Sequence, residues 1–166
     1  MNDTLQRPPR RVARRVPSDY VLRLREKVGH DLLVVPSVAV LLFDDQRRVL
    51  LVRHDDRGLW VAPGSTVEPD EHPEAAALRE MRQETGIEVE LVGILGAFGG
   101  PEFRVRHPNG DQVGYVMTVY EARALGGVPP FDELDDLGIG FFSRERIDTI
   151  YTPRWLPVVL RGVAWG

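Results

Sequence analysis

Two glutamates four positions apart, Glu80 and Glu84, carry the side chains best placed to hold a metal ion. If the segment around them is helical, the two carboxylates lie one turn apart on the same face. Carboxylates held that close repel each other, and the usual reason for keeping such a pair is a divalent cation between them. The alternative is a solvated helix face, on which glutamate is also common. The spacing of the pair therefore predicts a site for a divalent cation.

The residues around the two glutamates help to distinguish these interpretations. Their spacing resembles the Nudix box, Gly-x5-Glu-x7-Arg-Glu-U-x-Glu-Glu-x-Gly-U, where U is a bulky aliphatic residue. Two positions depart from this pattern, because Ser65 replaces the first glycine and Gln83 replaces the first glutamate of the Glu-Glu pair. The positions that agree with it are Glu71, Arg79, Glu80, Met81, Glu84, Gly86 and Ile87.

The resemblance implies a loop-helix-loop that holds Mg²⁺ or Mn²⁺ against a diphosphate. Glu80 and Glu84 match the metal ligands of the family, and a backbone carbonyl of the loop, at Gly64, would be a third ligand. Glu71 and Arg79 match the pair in which the arginine ties the loop to the helix. We group these four side chains as the expected catalytic set. The ions would neutralise the phosphate oxygens, orient the phosphate and lower the pKa of a bound water.

The implied activity is that of a metal-dependent pyrophosphohydrolase. Its substrate would be a nucleoside diphosphate derivative such as ADP-ribose, a nucleotide sugar or an NTP-like compound, cleaved by water attack on phosphorus. The alternative is a catalytically weakened Nudix-fold module that binds a nucleotide as a regulator. Gln83 motivates this alternative because its amide brings no negative charge to the metal. Ser65 adds a cost only if the loop needs a positive φ, and Asp70 is compatible with a left-handed turn.

Contacts to the rest of the substrate are expected outside the box. Arg53 could meet phosphates, Trp60 and Phe98 could stack on a base, and Glu68 could reach the same cations. Each of the four has an ordinary alternative, as a solvated surface residue, a core aromatic or a loop carboxylate that faces water. Further candidates of the same kinds are His54, Arg57, Phe103, Tyr115 and the acidic residues Asp132, Glu133, Asp135 and Asp136.

The elements that must position these residues are predicted from periodicity and from helix-breaking residues. The box helix should run from Pro73 to Thr85, because proline suits the first turn and Gly86 can adopt the left-handed conformation that ends a helix. Its predicted inward stripe is Ala75, Leu78, Met81 and the stem of Arg82. Strands are expected at 37–43, 48–53, 58–61, 66–68, 88–98, 112–124 and 137–142, and further helices at 17–30, 144–150 and 153–163.

This order of elements predicts an α+β fold, since the strands and helices do not alternate regularly. The resemblance covers roughly residues 36 to 163 and implies the Nudix fold, a mixed β-sheet sandwiched between α-helices. A chain of 166 residues is expected to form one domain, which we place at 17–166. Residues 1–16 are expected to be a flexible basic arm.

Charge and composition limit the expected partners. The first 16 residues carry +4 and the whole chain −4, so the remaining body carries −8, which does not indicate a nucleic-acid-binding domain. The absence of cysteine suits a cytoplasmic location. No apolar run is long enough to span a membrane. The expected partner is a small molecule of the nucleoside diphosphate type, and the resemblance adds a homodimer as an expectation.

Overall fold

The structure is a computed structural model that describes residues 17–54, 58–128 and 138–165. Its strands are β1 (Leu33–Leu42), β2 (Val49–His54), β3 (Leu59–Val61), β4 (Gly64–Thr66), β5 (Val89–Phe98), β6 (Arg104–Arg106), β7 (Gln112–Ala124) and β8 (Ile139–Phe142). Its helices are α1 (Asp19–Val28), α2 (Pro73–Thr85), α3 (Arg144–Ile147) and α4 (Trp155–Leu160), with a 3₁₀ turn at Pro101–Phe103.

Strand β1 is central to the larger sheet because it pairs on both sides. It runs parallel to β7, from Leu33 opposite Val113 to Leu42 opposite Ala122, and antiparallel to β4. Strands β5 and β6 pair antiparallel with β7. We call this sheet, β4-β1-β7-β5 with β6, sheet A, and the antiparallel sheet β3-β2-β8 sheet B. Parallel and antiparallel pairs coexist in sheet A, so the predicted mixed sheet is confirmed.

Apolar side chains are buried on both faces of β1. Val38 and Val40 join a core beneath α2, and Ala39 and Leu41 join a second core beneath α3 and α4. The first, the box-side core, includes Ala76, Ala77 and Met81, and the second, the C-terminal core, includes Ile147, Trp155 and Leu156. A strand buried on both faces reads as a continuous apolar run. The sheets lie between helices, which confirms the predicted α+β Nudix architecture.

Helix α2 has the predicted bounds because both of its ends carry strong local signals. Pro73 occupies the first turn, and Gly86 follows the last residue with φ 70° and donates its N–H to the carbonyl of Arg82. The predicted inward stripe is right at Met81, which is buried, and at Leu78, which is half-buried against the box-side core, and it is wrong at the exposed Ala75 and Arg82. The buried residues are Ala76, Ala77, Glu80, Met81 and Thr85. Alanines let the helix approach the sheet closely, and an arginine beside Glu80 compensates its burial.

Strand β1 begins earlier than predicted because Pro36 does not interrupt it. The carbonyl of Pro36 accepts a hydrogen bond from Val67 N at 3.0 Å. In a strand the N–H and C=O of one residue point to the same side. The side on which Pro36 lacks an N–H therefore faces the loop after β4, and the pairing with β7 loses no bond.

Other boundaries differ from prediction by a few residues. Strand β4 lies at Gly64–Thr66 and not at 66–68, and α3 and α4 are shorter than 144–150 and 153–163. Strand β6 is not predicted, because three residues with two arginines show no readable alternation. The arm at 1–16, Arg57 and the acidic segment 132–136 lie outside the described residues. In the part of the chain that the structure describes, no helix has the length and apolar character needed to cross a membrane.

Candidate active site

The loop before α2 is held against β1 through a glycine. Strand β4 pairs with β1 so that Gly64 lies opposite Ala39 and Ser65 lies opposite Val38. A Cβ on Gly64 would stand 2.1 Å from the carbonyl oxygen of Val38 and 2.9 Å from the Cα of Ala39. Any other residue would clash with backbone there, so the close approach of the loop requires glycine.

The carbonyl of Gly64 points to the outer edge of β4. The carbonyl of Pro63 accepts a hydrogen bond from Val40 N at 2.8 Å and therefore faces β1. Because the carbonyls of successive strand residues alternate in direction, the carbonyl of Gly64 is directed away from β1. This is the orientation that the predicted third metal ligand requires.

The positions that depart from the box pattern fit the backbone of the loop and the surface of α2. Ser65 has no positive φ, so the expected backbone cost of serine does not arise. Asp70 has φ 64°, the left-handed conformation with which the sequence is compatible at this turn. Gln83 is on α2 and its side chain is exposed, so the glutamine that replaces the glutamate of the motif is not a buried group in need of a partner.

Arg79 joins the loop to the helix. Its Nε and Nη2 donate hydrogen bonds to the two carboxylate oxygens of Glu71 at 2.8 and 3.0 Å, and its Nη1 donates to Oε1 of Glu80 at 2.6 Å. Nη2 also lies 3.4 Å from Oγ of Ser65. Glu71 in turn accepts a hydrogen bond from the backbone N–H of Glu68 at 3.0 Å. The pairing of Glu71 with Arg79 that the motif implies is therefore formed, while its role in catalysis stays a prediction.

The charges of this cluster are balanced within it. The hydrogen bonds from Arg79 hold the pKa of Glu71 below its ordinary value, although burial acts in the opposite direction. The same bonds raise the pKa of Arg79. One guanidinium thus serves two carboxylates, those of Glu71 and Glu80, which keeps both side chains ordered near α2.

Glu80 and Glu84 offer carboxylates to the predicted cation. Glu80 is buried, with 7% of its surface exposed, and Glu84 is half-buried one turn later on the same helix. Within the described ranges, no three His, Cys, Asp or Glu side chains converge into a preformed metal cluster. Mg²⁺ commonly uses only one or two carboxylates and takes its other oxygens from water and substrate phosphates. The oxygen atoms of the two glutamates and of the Gly64 carbonyl are of the kind that such an ion prefers, and their role as its ligands stays a prediction.

Arg53 and Trp60 form a cross-strand pair on sheet B. They stand opposite each other on β2 and β3, with the guanidinium carbon of Arg53 5.8 Å from the ring centroid of Trp60. Trp60 is half-buried and meets Phe142 edge-on, with ring centroids 4.7 Å apart. Only Ala62 and Pro63 separate β3 from β4, so this pair is close to the box loop along the chain.

A row of side chains crosses sheet A from the box loop to Phe98. Thr66 lies opposite Ser37, Ser37 opposite Met117, and Met117 opposite Phe98. Three steps between strands, each of about 4.8 Å, give the row a length of about 14 Å. Phe98 is half-buried and stacks on Phe103 at 6.2 Å between ring centroids. We call this set of four residues, Thr66, Ser37, Met117 and Phe98, the cross-sheet row.

The structure thus groups the predicted residues into three sets. Glu68, Glu71, Arg79 and Glu80 are joined by hydrogen bonds, and Glu84 follows one turn later on the same helix. Arg53 and Trp60 form a separate pair on sheet B, and Phe98 lies three strands away from β4 on sheet A. The sequence does not single out Ser37 and Thr66, which stand between the box loop and Phe98 in strand register, with Ser37 buried.

Comparisons with known proteins show the family to which this sequence and fold belong. A family model described as the NUDIX domain matches residues 33–158. The chain is 37% identical over 114 residues to the Bacillus subtilis (strain 168) protein named "Putative 8-oxo-dGTP diphosphatase", a match covering 69% of this chain and 70% of that protein. It is 28% identical over 148 residues to an ADP-ribose pyrophosphatase of Methanocaldococcus jannaschii, covering 83% and 85%. Other curated relatives are matched over about half of their own length.

The fold is also that of solved structures. The crystal structure of a MutT NUDIX hydrolase from Burkholderia pseudomallei is similar with a TM-score of 0.58 and 26% identity, over 80% of this chain and 99% of that one. The match to the NUDIX domain runs from β1 to α4 and includes the loop, the Arg79 cluster and α2. This chain belongs to the Nudix family of hydrolases, which act on phosphoric anhydrides.

Proposed function

We propose that this protein hydrolyses the diphosphate of a nucleoside diphosphate derivative with the help of a divalent cation, Mg²⁺ or Mn²⁺. The cation would be held by the carboxylates of Glu80 and Glu84 and by the carbonyl of Gly64. The observation that carries the proposal is the hydrogen-bonded cluster of Arg79 with Glu71 and Glu80, which fixes the loop relative to the helix. Without such a connection the ligands would come from two independently moving segments.

Each residue of the cluster has a distinct task in this proposal. Glu71 and Arg79 would position the loop that carries the carbonyl of Gly64 relative to the carboxylates of α2. Arg79 bonds Oε1 of Glu80, so Oε2 would be the oxygen that holds the cation. The cation would neutralise the phosphate oxygens and lower the pKa of a bound water. Glu68, half-buried in the same loop, would be a further carboxylate for the cation.

The rest of the substrate would be contacted outside the box. Ser37 and Met117 of the cross-sheet row are buried and offer it no surface. A base would stack on the half-buried ring of Phe98, about 14 Å from β4 across sheet A. Arg53 would contact a phosphate, and Trp60 beside it would offer a second aromatic surface. Tyr115 is half-buried two residues before Met117 on β7 and is a further candidate for this surface.

Two classes of substrate are supported by relatives. One relative is named "ADP-ribose pyrophosphatase" and another "Putative 8-oxo-dGTP diphosphatase". Both compounds contain a nucleoside joined to a phosphoric anhydride, which is the part that the box would engage. Hydrolysis of either compound releases a nucleoside monophosphate.

A second candidate function is that of a Nudix-fold module that binds a nucleotide with weakened catalysis. Gln83 favours it, because this exposed amide adds no negative charge beside Glu84. A cation site with one charge fewer holds its metal less tightly.

The predicted homodimer, cytoplasmic location and single domain at 17–166 also stay predictions. Light scattering after size-exclusion chromatography measures whether the protein is a homodimer.

A panel of substrates separates the two functions. The full chain is incubated with ADP-ribose, nucleotide sugars, dinucleotides and NTPs, with Mg²⁺ and with Mn²⁺, and nucleoside monophosphate release is measured. We expect metal-dependent turnover that falls roughly 10²-fold or more in Glu84→Gln. Glu88→Gln makes the same chemical change on an exposed residue beyond α2 and should keep full activity. Tight binding without turnover in either metal would favour the module, and full activity of Glu84→Gln would refute the proposed site.

A further inference from the structure

A cleft of about 240 Å³ lies between α3, α4 and the C-terminal tryptophan. Its walls combine two arginines and one carboxylate with apolar side chains. The residues that matter for its chemistry are Arg144, Ile147, Asp148, Leu160, Arg161 and Trp165. None of them belongs to the box, to the Arg53–Trp60 pair or to the cross-sheet row.

The cleft lies beyond the C-terminal end of β1, whereas the box loop pairs with the middle of this strand. The ring of Trp165 meets Phe43 edge-on, with centroids 5.9 Å apart, and Phe43 directly follows β1. The box loop pairs with β1 at Ser37 to Ala39. From Ala39 to Phe43 the strand takes four steps of about 3.3 Å each, a distance of about 13 Å. A ligand in the cleft would therefore occupy a different place from one in the box.

The charge of the cleft favours an anion. Arg144 and Arg161 are both exposed, and neither forms an ion pair with another described residue. The Nε of Arg161 donates to the carbonyl of Pro157 at 3.4 Å, which orients the side chain and engages none of its terminal nitrogens. Arg144 acts electrostatically on the neighbouring Glu145, and Asp148 is the acid of the lining. Two guanidinium groups against one lining carboxylate leave capacity for a phosphate.

The apolar side of the cleft is formed by an aromatic ring with contacts on two sides. The indole Nε1–H of Trp165 donates to the carbonyl of Leu160 at 3.3 Å, and Phe43 supports the ring from another side. Leu160 and Ile147 are buried in the C-terminal core. A fixed aromatic ring beside aliphatic side chains suits a planar, apolar group, and a few polar groups at the mouth fix its orientation.

Size narrows the ligand class. Small-molecule pockets usually enclose about 300–1,000 Å³, so a cleft of about 240 Å³ is at the small end of the range. It would hold the base and the phosphate of a mononucleotide with the ribose at its open mouth, whereas a dinucleotide would extend well beyond it.

We propose that this cleft is a second ligand site, which binds a mononucleotide with its phosphate at Arg144 and Arg161 and its base against Trp165. The inference rests on these residues alone and does not require the proposed function. A nucleoside monophosphate has the chemistry that the cleft selects, and it is also the compound that the proposed reaction would release. Occupation of the cleft would then report on the accumulation of product.

The test uses the indole N–H signals of the full chain in ¹H–¹⁵N spectra, with the Trp165 signal assigned from Trp165→Phe. The protein contains three tryptophans, so the signals are few. AMP and GMP are titrated with EDTA present to keep divalent cations out of the box. We expect a saturable shift of the Trp165 signal with at least one of them, and affinity for adenosine weaker by about tenfold or more because it lacks the phosphate.

Variants decide where the nucleotide binds. The double variant Arg144→Gln/Arg161→Gln should weaken binding about tenfold or more, whereas Arg146→Gln, an exposed arginine of α3 outside the cleft, should bind as wild type. Glu84→Gln should leave the Trp165 shift unchanged. The proposal is overturned if neither nucleotide moves the signal at millimolar concentration, if the double variant binds as wild type, or if Glu84→Gln abolishes the shift.

Discussion

Helix α2 forms two arginine–glutamate pairs, one with the loop before it and one with the segment after it, that look alike in distance and differ in surroundings. At the front, Nε of Arg79 lies 2.8 Å from Oε1 of Glu71, and at the rear Nε of Arg82 lies 2.8 Å from Oε1 of Glu88. The side chains of the front pair are 31% and 16% exposed, and those of the rear pair 65% and 57%. In both pairs the arginine lowers the pKa of the glutamate.

The comparison shows that the structural contribution of an ion pair depends on its burial and on its other contacts, and not on the distance between its two charged groups. Arg79 also donates to Glu80, so removing it would leave a buried carboxylate without its cation. Among the described residues the side chain of Arg82 bonds Glu88 alone, and water replaces either partner at little cost. The front pair therefore links loop, helix and candidate metal site, and the rear pair is a surface feature. Four predictions test this contrast.

The largest effect is expected from the glycine that lets the front loop approach β1. Gly64→Ala would place a Cβ 2.1 Å from the carbonyl oxygen of Val38, so the loop must shift. We expect a loss of roughly 3 kcal/mol of unfolding free energy, measured from urea transitions. Gly93→Ala, in the strand that follows the rear of α2, meets no atom within 4 Å and should change stability by no more than about 0.5 kcal/mol. Equal losses in the two variants would contradict the close approach.

The next effect concerns the arginines themselves. Arg79→Gln should lower turnover roughly 10–100-fold and raise the Mg²⁺ concentration needed for half-maximal rate, because Arg79 orients Glu80. Arg82→Gln should change neither. A purely structural role for Arg79 would lower stability without moving the metal dependence, so both the thermal midpoint and the Mg²⁺ titration are measured. Partial recovery of the metal dependence in Arg79→Lys would support the positioning role.

The glutamates of the two pairs can be compared by measuring the unfolding free energy at different pH values. Glu71→Gln should cost roughly 1–3 kcal/mol near neutral pH, since it leaves Arg79 partly unsatisfied. The pKa of Glu71 is lowered in the folded protein, so its stabilisation is complete above the ordinary value of 4.5 and is lost as the pH falls through the lowered value. The deficit of Glu71→Gln relative to wild type should therefore shrink below about pH 4.5.

The matched variant for that experiment is Glu88→Gln, in which the removed charge is exposed. It should unfold at the same urea concentration as wild type at every pH tested. A deficit of Glu71→Gln that stayed constant down to pH 3 would show that the charge of Glu71 is not what holds the loop.

The smallest effect is expected from restoring the box glutamate. Gln83→Glu adds a carboxylate on α2 beside Glu84, and we expect a few-fold higher turnover or a few-fold lower Mg²⁺ requirement. The exposed position of Gln83 limits the gain, because water screens the added charge. Kinetics at several Mg²⁺ concentrations measure both quantities, and an unchanged Mg²⁺ dependence would mean that this position does not act on the metal.

What the sequence predicts well are elements with local signals. Pro73 and Gly86 mark the ends of α2, and alternation marks β7, so both sets of bounds are right. The inward face of α2 is predicted correctly at Leu78 and Met81 and wrongly at Ala75, because Ala75, Ala76 and Ala77 are equally apolar and only the sheet beneath them decides which are buried.

In the candidate site, too, the contacts between residues near in sequence are predicted and those between distant strands are not. The pairing of Glu71 with Arg79 follows from the spacing of a motif, which can be read from neighbouring residues. The cross-sheet row depends on the registers of β4, β1, β7 and β5, which come from distant parts of the chain. No local pattern of residues specifies those registers, so Ser37 and Thr66 could not be connected with Phe98 before the strands were placed.

The parallel pairing of β1 with β7 has a consequence for how the protein is made. Leu33 meets Val113 and Leu42 meets Ala122, so the middle of sheet A joins an early segment to a late one. During translation the edge of β1 that pairs with β7 stays unpaired until β7 has left the ribosome. Contacts between such distant segments slow folding, because a long loop must close first. The nascent chain therefore carries a Val- and Leu-rich strand with an open edge for most of its synthesis, and an open strand edge is a template for aggregation.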